Sequence, residues 1–140
     1  MTYCLIVKYD YTTLGMSRLV LVVEDDVDLN GIYKEILELH GFEVITATNG
    51  EEGVQKFTKY NPSLVIMDGD MPILDGYQAF KQIKAIDTRA NVVIVTGFSE
   101  FEPKSREAIK EGLIKVISKP LGVDELLELA KKHTEIKVEK

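Results

Sequence analysis

The chain has 140 residues, 45% hydrophobic and 29% charged, with a formal net charge of -6. That length suits one globular domain with its own apolar core, and the absence of any Pro/Gly or low-complexity excess excludes a disordered polymer. Acidic residues scattered along the sequence exclude direct nucleic-acid binding, the lone Cys4 excludes a disulfide or a thiolate zinc site, and no apolar run nears the ~20 residues of a membrane span or resembles a secretory signal, so a soluble, cytoplasmic protein is expected.

In chain order, residues 1–17 stand apart as an N-terminal extension. Tyr3, Leu5, Val7, Tyr9 and Tyr11 alternate with Thr2, Cys4, Ile6, Lys8 and Asp10, the period of a half-buried strand that could add to a sheet edge. The plainer reading is that Met16 is the natural start. From Arg18 onward short apolar runs alternate with longer amphipathic segments, the rhythm of βα units around a parallel sheet.

The strands are expected at Leu19–Val23, Glu43–Ala47, Leu64–Met67, Val92–Val95 and Leu113–Ile117; the second is the most polar and belongs at an edge. In the first helix Leu29, Ile32, Ile36 and Leu39 recur at helical spacing, and Gly41 can stop it in a left-handed conformation. The second runs from about Glu51 to Tyr60, where Pro62 prevents continuation. The third starts near Tyr77 with Phe80 and Ile83 on one face. The fourth lies between Ser99 and Gly112, begun either by a Ser99/Glu102 capping box or, with Pro103 at its first position, by Glu102. The fifth, Asp124 to about His133, turns Leu126, Leu127 and Ala130 inward. Residues 18–134 form the expected domain and 135–140 a charged tail, too short for an effector domain.

Polar groups follow four of the five apolar runs: Glu24, Asp25 and Asp26, then Asp68, Thr96 and Lys119. Parallel strands put all of these along one sheet edge. With the doubly wound order 2-1-3-4-5, a crevice opens between strands one and three, where Glu24, Asp25 and Asp68 converge. Converging carboxylates raise one another's pKa unless a cation is present, and an all-oxygen ligand set suits Mg²⁺. Asp68 is then free to act as a nucleophile toward a phosphoryl donor, with the Thr96 hydroxyl and Lys119 ammonium complementing the new group. Backbone N–H groups of Gly69, Asp70 and Gly97 are further candidate donors.

These residues resemble the receiver domains of two-component response regulators, of the chemotaxis-regulator type, over about residues 18–133. The stretches that carry the resemblance are Leu21-Val22-Val23-Glu24-Asp25-Asp26, Met67-Asp68-Gly69-Asp70-Met71-Pro72 with Asp75-Gly76, Val95-Thr96-Gly97 and Ser118-Lys119-Pro120. Each is weak alone; their order makes the signal specific. The resemblance implies a flavodoxin-like, three-layer α/β domain with Asp68 as phospho-acceptor and Glu24 and Asp25 as the acidic pair around Mg²⁺. It further implies the Asp70 backbone carbonyl as another metal ligand, Thr96 as switch hydroxyl, Lys119 as phosphoryl partner and a cis Lys119–Pro120 bond. The partners it implies are a sensor histidine kinase and a downstream protein target. A homodimer would form through helix four, strand five and helix five, or through the N-terminal strand. The only enzymatic chemistry expected is the domain's own phosphorylation and dephosphorylation.

Two positions depart from the common pattern. Val116 stands where an aromatic switch residue is usual, and Phe98 occupies a position that tunes dephosphorylation. The conformational response is therefore expected through Thr96, Gly97 and the start of helix four, with Phe98 or Phe101 repacking.

Plainer readings compete at several positions. Asp26 is better read as a helix N-cap; for Asp25 alone the two readings are even, and Asp68 and Lys119 at the same edge tip it to a site. His40 suits a helix C-terminus and His133 a solvated tail, so neither is a metal ligand. Met67 and Met71 read as core and loop packing. The rival function is a Mg²⁺-dependent phosphatase of the haloacid-dehalogenase type, imitated by Asp68-Gly69-Asp70, Thr96 and Lys119. In that family the nucleophile sits on the first motif strand and acidic ligands follow the lysine, whereas here the acidic strand comes first and only Asp124 and Glu125 follow. A receiver-like docking module that is never phosphorylated is a third reading, opposed by the intact acidic site.

Overall fold

The computed structural model describes residues 18–97 and 102–134. The N-terminal strand expected at Tyr3–Tyr11, Phe98, Ser99 and Phe101, and the tail lie outside them.

Among the described residues five strands and five helices alternate: β1 Leu19–Val23, α1 Val27–Leu39, β2 Glu43–Ala47, α2 Gly50–Tyr60, β3 Leu64–Asp68, α3 Gly76–Ile86, β4 Val92–Thr96, α4 Pro103–Lys110, β5 Lys115–Ser118 and α5 Val123–Thr134. All pairings are parallel, in the order β2-β1-β3-β4-β5. This is the flavodoxin-like α/β fold, with β2, the most polar strand, at an edge. Successive side chains of a strand point to opposite faces, and the core divides accordingly. Leu21, Val23, Val65, Met67, Val92, Ile94 and Val116 pack with Phe57, Phe80 and Ile83 from α2 and α3. On the other face Val20, Val22, Leu64, Ile66, Val93, Val95 and Ile117 pack with Tyr33 and Leu37 of α1 and Leu126 and Ala130 of α5. Each fully buried side chain of this size contributes about 1.5–3 kcal/mol, which is why apolar runs of only five residues hold the sheet.

The ends of the elements follow local chemistry. Asp26 caps α1 by accepting the N–H groups of Asp28 and Leu29, and Asn49 caps α2 through Glu52 N–H. His40 and the left-handed Gly41 (φ 91°) close α1, with His40 Nδ1 2.9 Å from Ile36 O. Asn61, also left-handed at φ 47°, ends α2 just before Pro62. Asp75 and Gln78 form a capping box at α3.

Three expectations need correction. In α1 the buried stripe is Asn30, Tyr33 and Leu37, while Ile32 and Leu39 are exposed; the sequence offers two overlapping stripes, and the one containing an asparagine and a tyrosine faces the sheet. In α5, Leu129 is buried and Leu127 only partly so. α4 starts at Pro103 with Glu102 at its N-cap, the second of the two expected starts, and the Glu102 side chain makes no capping hydrogen bond. The fifth strand is Lys115–Ser118, because Leu113, though buried, still bonds back to Ala108 O as the chain leaves α4 through Gly112 (φ 106°). The Lys119–Pro120 peptide is cis. Among the described residues no helix is long and apolar enough to cross a membrane.

Candidate functional site

The C-terminal ends of β1, β3, β4 and β5 lie side by side, and the strand order reverses between β1 and β3. β1 and β3 end in the same register, Val23 opposite Met67, so the next residues, Glu24 and Asp68, emerge together. Carboxylate oxygens of Glu24, Asp25 and Asp68 lie within 4.8 Å of one another. Glu24 and Asp68 are each only 3% exposed, while Asp25 faces solvent.

Lys119 reaches this cluster from the end of β5, its Nζ 3.2 Å from Asp68 Oδ1. Its backbone N–H bonds to Thr96 O, which ties the β4 and β5 exits together. Thr96 is fully buried at the end of β4. It touches the residue after Asp68 closely: a Cβ on Gly69 would stand 3.0 Å from Thr96 Cβ and 3.2 Å from its hydroxyl. Glycine is therefore what lets β3 and β4 come this close beside Asp68.

Of the backbone donors suggested by the sequence, two are already engaged. Gly69 N–H bonds to Val95 O within the sheet, and Asp70 N–H donates to Asp68 Oδ1 at 3.0 Å. The loop after β3 folds back on itself: Gly76 N–H bonds to Gly69 O, and a Cβ at Gly76 would fall on Asp68 O. Ile73 in this loop has φ 71°, a left-handed conformation uncommon for a β-branched residue.

The electrostatics follow from burial. The Glu24 carboxyl is pushed from 4.5 to about 7, first by desolvation and then by the Asp68 charge, against the opposing Asp26 N–H that bonds its Oε2. Asp68 is raised by desolvation too, offset in part by Asp70 N–H and Lys119. Burial opposes the charge on Lys119, but Asp68, Glu24 and Asp25 together hold its pKa above the ordinary value. One ammonium thus faces three carboxylates, and the remaining negative charge calls for a cation. Oxygen-only ligands open to solvent on the Asp25 side fit a hard divalent ion such as Mg²⁺.

Several supporting residues lie outside the motifs that stand out in the sequence. Asn30 is buried and donates from Nδ2 to both Glu24 O and Ala47 O, each at 3.0 Å. Tyr77 Oη lies 2.7 Å from Ser105 Oγ across the α3–α4 contact, and Lys104 sits over the Tyr77 ring while pairing with Asp75 at 3.3 Å. The visible signal for Asn30 is its place three and seven positions before the inward Tyr33 and Leu37. His133 also differs from expectation: it is half-buried, its Nε2 has no hydrogen-bond partner among the described residues, and desolvation lowers its pKa.

Comparison with known proteins agrees with this geometry. The family model of the response regulator receiver domain matches residues 20–131. The chemotaxis protein CheY of Bacillus subtilis is 36% identical over 118 residues, covering 84% of this chain and 98% of the relative. Sporulation initiation phosphotransferase F of the same organism is 29% identical over 122 residues, covering 87% and 98%. A response regulator receiver domain protein from Clostridium thermocellum superposes with a TM-score of 0.77 at 30% identity, covering 83% of this chain and 93% of that one. The receiver domain of NtrX from Brucella abortus gives 0.74 at 30% identity, covering 83% and 98%.

Proposed function

Because the chain belongs to the response-regulator receiver family, we propose that it accepts a phosphoryl group on Asp68 from a sensor histidine kinase in a Mg²⁺-dependent reaction. It then signals to a protein partner by conformational change, in the cytoplasm. The observation that carries this reading is the buried Asp68 carboxylate, flanked by Glu24 and Asp25 on one side and by Lys119 at 3.2 Å on the other. Receiver domains characteristically carry out only their own phosphorylation and dephosphorylation, and the phosphatase reading gives way to this one.

Glu24, Asp25, Asp68 and the Asp70 carbonyl would hold the cation, which supplies charge neutralisation for the incoming phosphoryl oxygens. Asp68 presents an oxygen as nucleophile: a new O–P bond forms as the donor's P–N bond breaks, leaving an acyl phosphate and the free imidazole of the donor. Asp70 N–H fixes the orientation of the Asp68 carboxylate by holding Oδ1, and Lys119 balances the charge that arrives with the phosphoryl group. Thr96, which packs on Gly69, senses that arrival through its hydroxyl and passes it to α4. Output acts through contacts of α4, β5 and α5, the surface on which a homodimer would also form.

Mass spectrometry after exposure to phosphoramidate with and without Mg²⁺ tests the assignment. One phosphoryl group should be added, only with Mg²⁺, and Asp68→Asn should abolish it, because the amide is nearly isosteric but a far poorer nucleophile. Stoichiometric labelling of the Asp68→Asn protein at the original rate would refute it.

A further inference from the structure

We propose that Asn30 is a positioning residue that sets the divalent-cation affinity of the carboxylate cluster without touching the cation. This rests on the Mg²⁺-dependent reading above and extends it to a residue outside the carboxylate set.

The β1 ladder runs out at Val23, whose partners are Ala47 on one side and Met67 on the other. Glu24 is thus the first residue beyond the regular sheet, and its main chain needs other restraints. Its N–H donates to Ala47 O at 3.0 Å. Its carbonyl receives Asn30 Nδ2 at 3.0 Å, and the same Nδ2 also donates to Ala47 O at 3.0 Å. A primary amide has two N–H groups on one nitrogen and can serve both carbonyls at once. The bond from Asn30 N–H to Asp26 O fixes the Asn30 backbone on the first turn of α1. The loop Glu24-Asp25-Asp26 is thereby pinned at both ends, and Asn30 is 6% exposed, shielded from competing water.

The need for such a pin is electrostatic. Glu24, Asp25 and Asp68 repel one another, and Glu24 and Asp25 stand on a loop that could relax by swinging away from Asp68. A cation binds most tightly where its ligands are already held together, since no binding energy is then spent on gathering them. The inward stripe of α1 aims Asn30 at this point: Tyr33 and Leu37 lie on the same face and pack on the sheet. Leucine at position 30 would continue that apolar stripe, yet it would leave the inward Glu24 carbonyl without its donor.

Isothermal titration calorimetry with MgCl₂, well below the melting temperature, on the wild type, Asn30→Leu, Asn30→Asp and Leu129→Ala tests the proposal. Leu129 packs in α5 on the same face of the sheet, so its truncation reports general loosening. Asn30→Leu should weaken the Mg²⁺ Kd by about tenfold, the low end for residues that orient metal ligands, with Leu129→Ala unchanged. Asn30→Asp keeps the size, removes donation and adds a negative charge; it should weaken binding, whereas a purely electrostatic role would tighten it. It also carries the test if Asn30→Leu does not fold. Unchanged affinity in Asn30→Leu, tighter binding in Asn30→Asp, or equal weakening in Leu129→Ala would overturn the proposal. A wild type that binds Mg²⁺ alongside an unaffected Asn30→Leu removes only this inference; a wild type that does not bind removes the metal reading as well.

Discussion

Glu24 is a buried acid whose environment works against its charged form. Its native pKa of about 7 lies above the unfolded value of 4.5, so the native state binds the proton more tightly between those limits. The stabilisation is fully present below pH 4.5 and is lost as pH rises through 7. A shift of that size corresponds to about 3 kcal/mol at most. In metal-free buffer, Glu24→Gln should therefore be more stable than the wild type at pH 8, and the advantage should vanish toward pH 4.5. Urea denaturation at the two pH values measures it. A pH-independent difference would mean that Glu24 does not titrate in this window. His133 shows the reverse sense, since a lowered histidine pKa makes stability fall with acid below its ordinary value of 6.5.

Among the described residues, α4 is lightly anchored. It has eight residues, the Glu102 side chain at its N-cap makes no capping hydrogen bond, and of its own residues only Ser105 and Ala108 are buried. Among the described residues it is tied to the domain by the buried Tyr77–Ser105 hydrogen bond, reinforced by Lys104 on Asp75 and on the Tyr77 ring. Tyr77→Phe keeps the ring and deletes the bond, and should cost about 1 kcal/mol in denaturant melts, with faster amide exchange in α4 than elsewhere. Phosphorylation should also alter exchange protection in α4, and Thr96→Ala should abolish that change. Val116 is buried and β-branched, with few rotamers to swing between, so a change confined to β5 would contradict this route. The same elements show what sequence alone reveals. β1, β3 and β4 are legible because dense Val, Ile and Leu runs are what a doubly covered strand requires, and the more polar β2 is legible as an edge. β5 was displaced because Leu113 and Ile114 extend its apolar run into a loop. The face of α1 was misjudged because Ile32 and Leu39 look more hydrophobic than Asn30 and Tyr33, and hydrogen bonding that justifies a buried asparagine has no sequence pattern.

For the whole molecule, the carboxylate cluster couples ligand binding to stability. Mg²⁺ that binds only the native state adds RT ln(1 + [Mg²⁺]/Kd), about 2.7 kcal/mol at a hundredfold excess over Kd. Thermal melts in millimolar MgCl₂ should therefore shift upward, Asp25→Asn should reduce the shift, and an unmoved wild-type curve would show that the cluster holds no cation. The convergence of Glu24, Asp25, Asp68, Thr96 and Lys119 at one edge could be anticipated from residue order, because parallel strands leave no other place for them. The loop contacts that set distances there, such as Gly76 on Gly69 and Asp70 on Asp68, were beyond sequence, since they depend on how a turn closes.

The strand order β2-β1-β3-β4-β5 also bears on how the chain assembles in time. β1 and β2 pair first in sequence; β3 then joins the free side of β1, β4 joins β3, and β5 joins β4. Every arriving strand meets an open border, and none has to wedge between two already joined. A chain emerging from the ribosome can thus build its sheet in the order of synthesis. In the finished sheet Asp68 stands beside Glu24 at the ends of neighbouring strands, and Lys119, its counter-charge, follows the last strand in sequence.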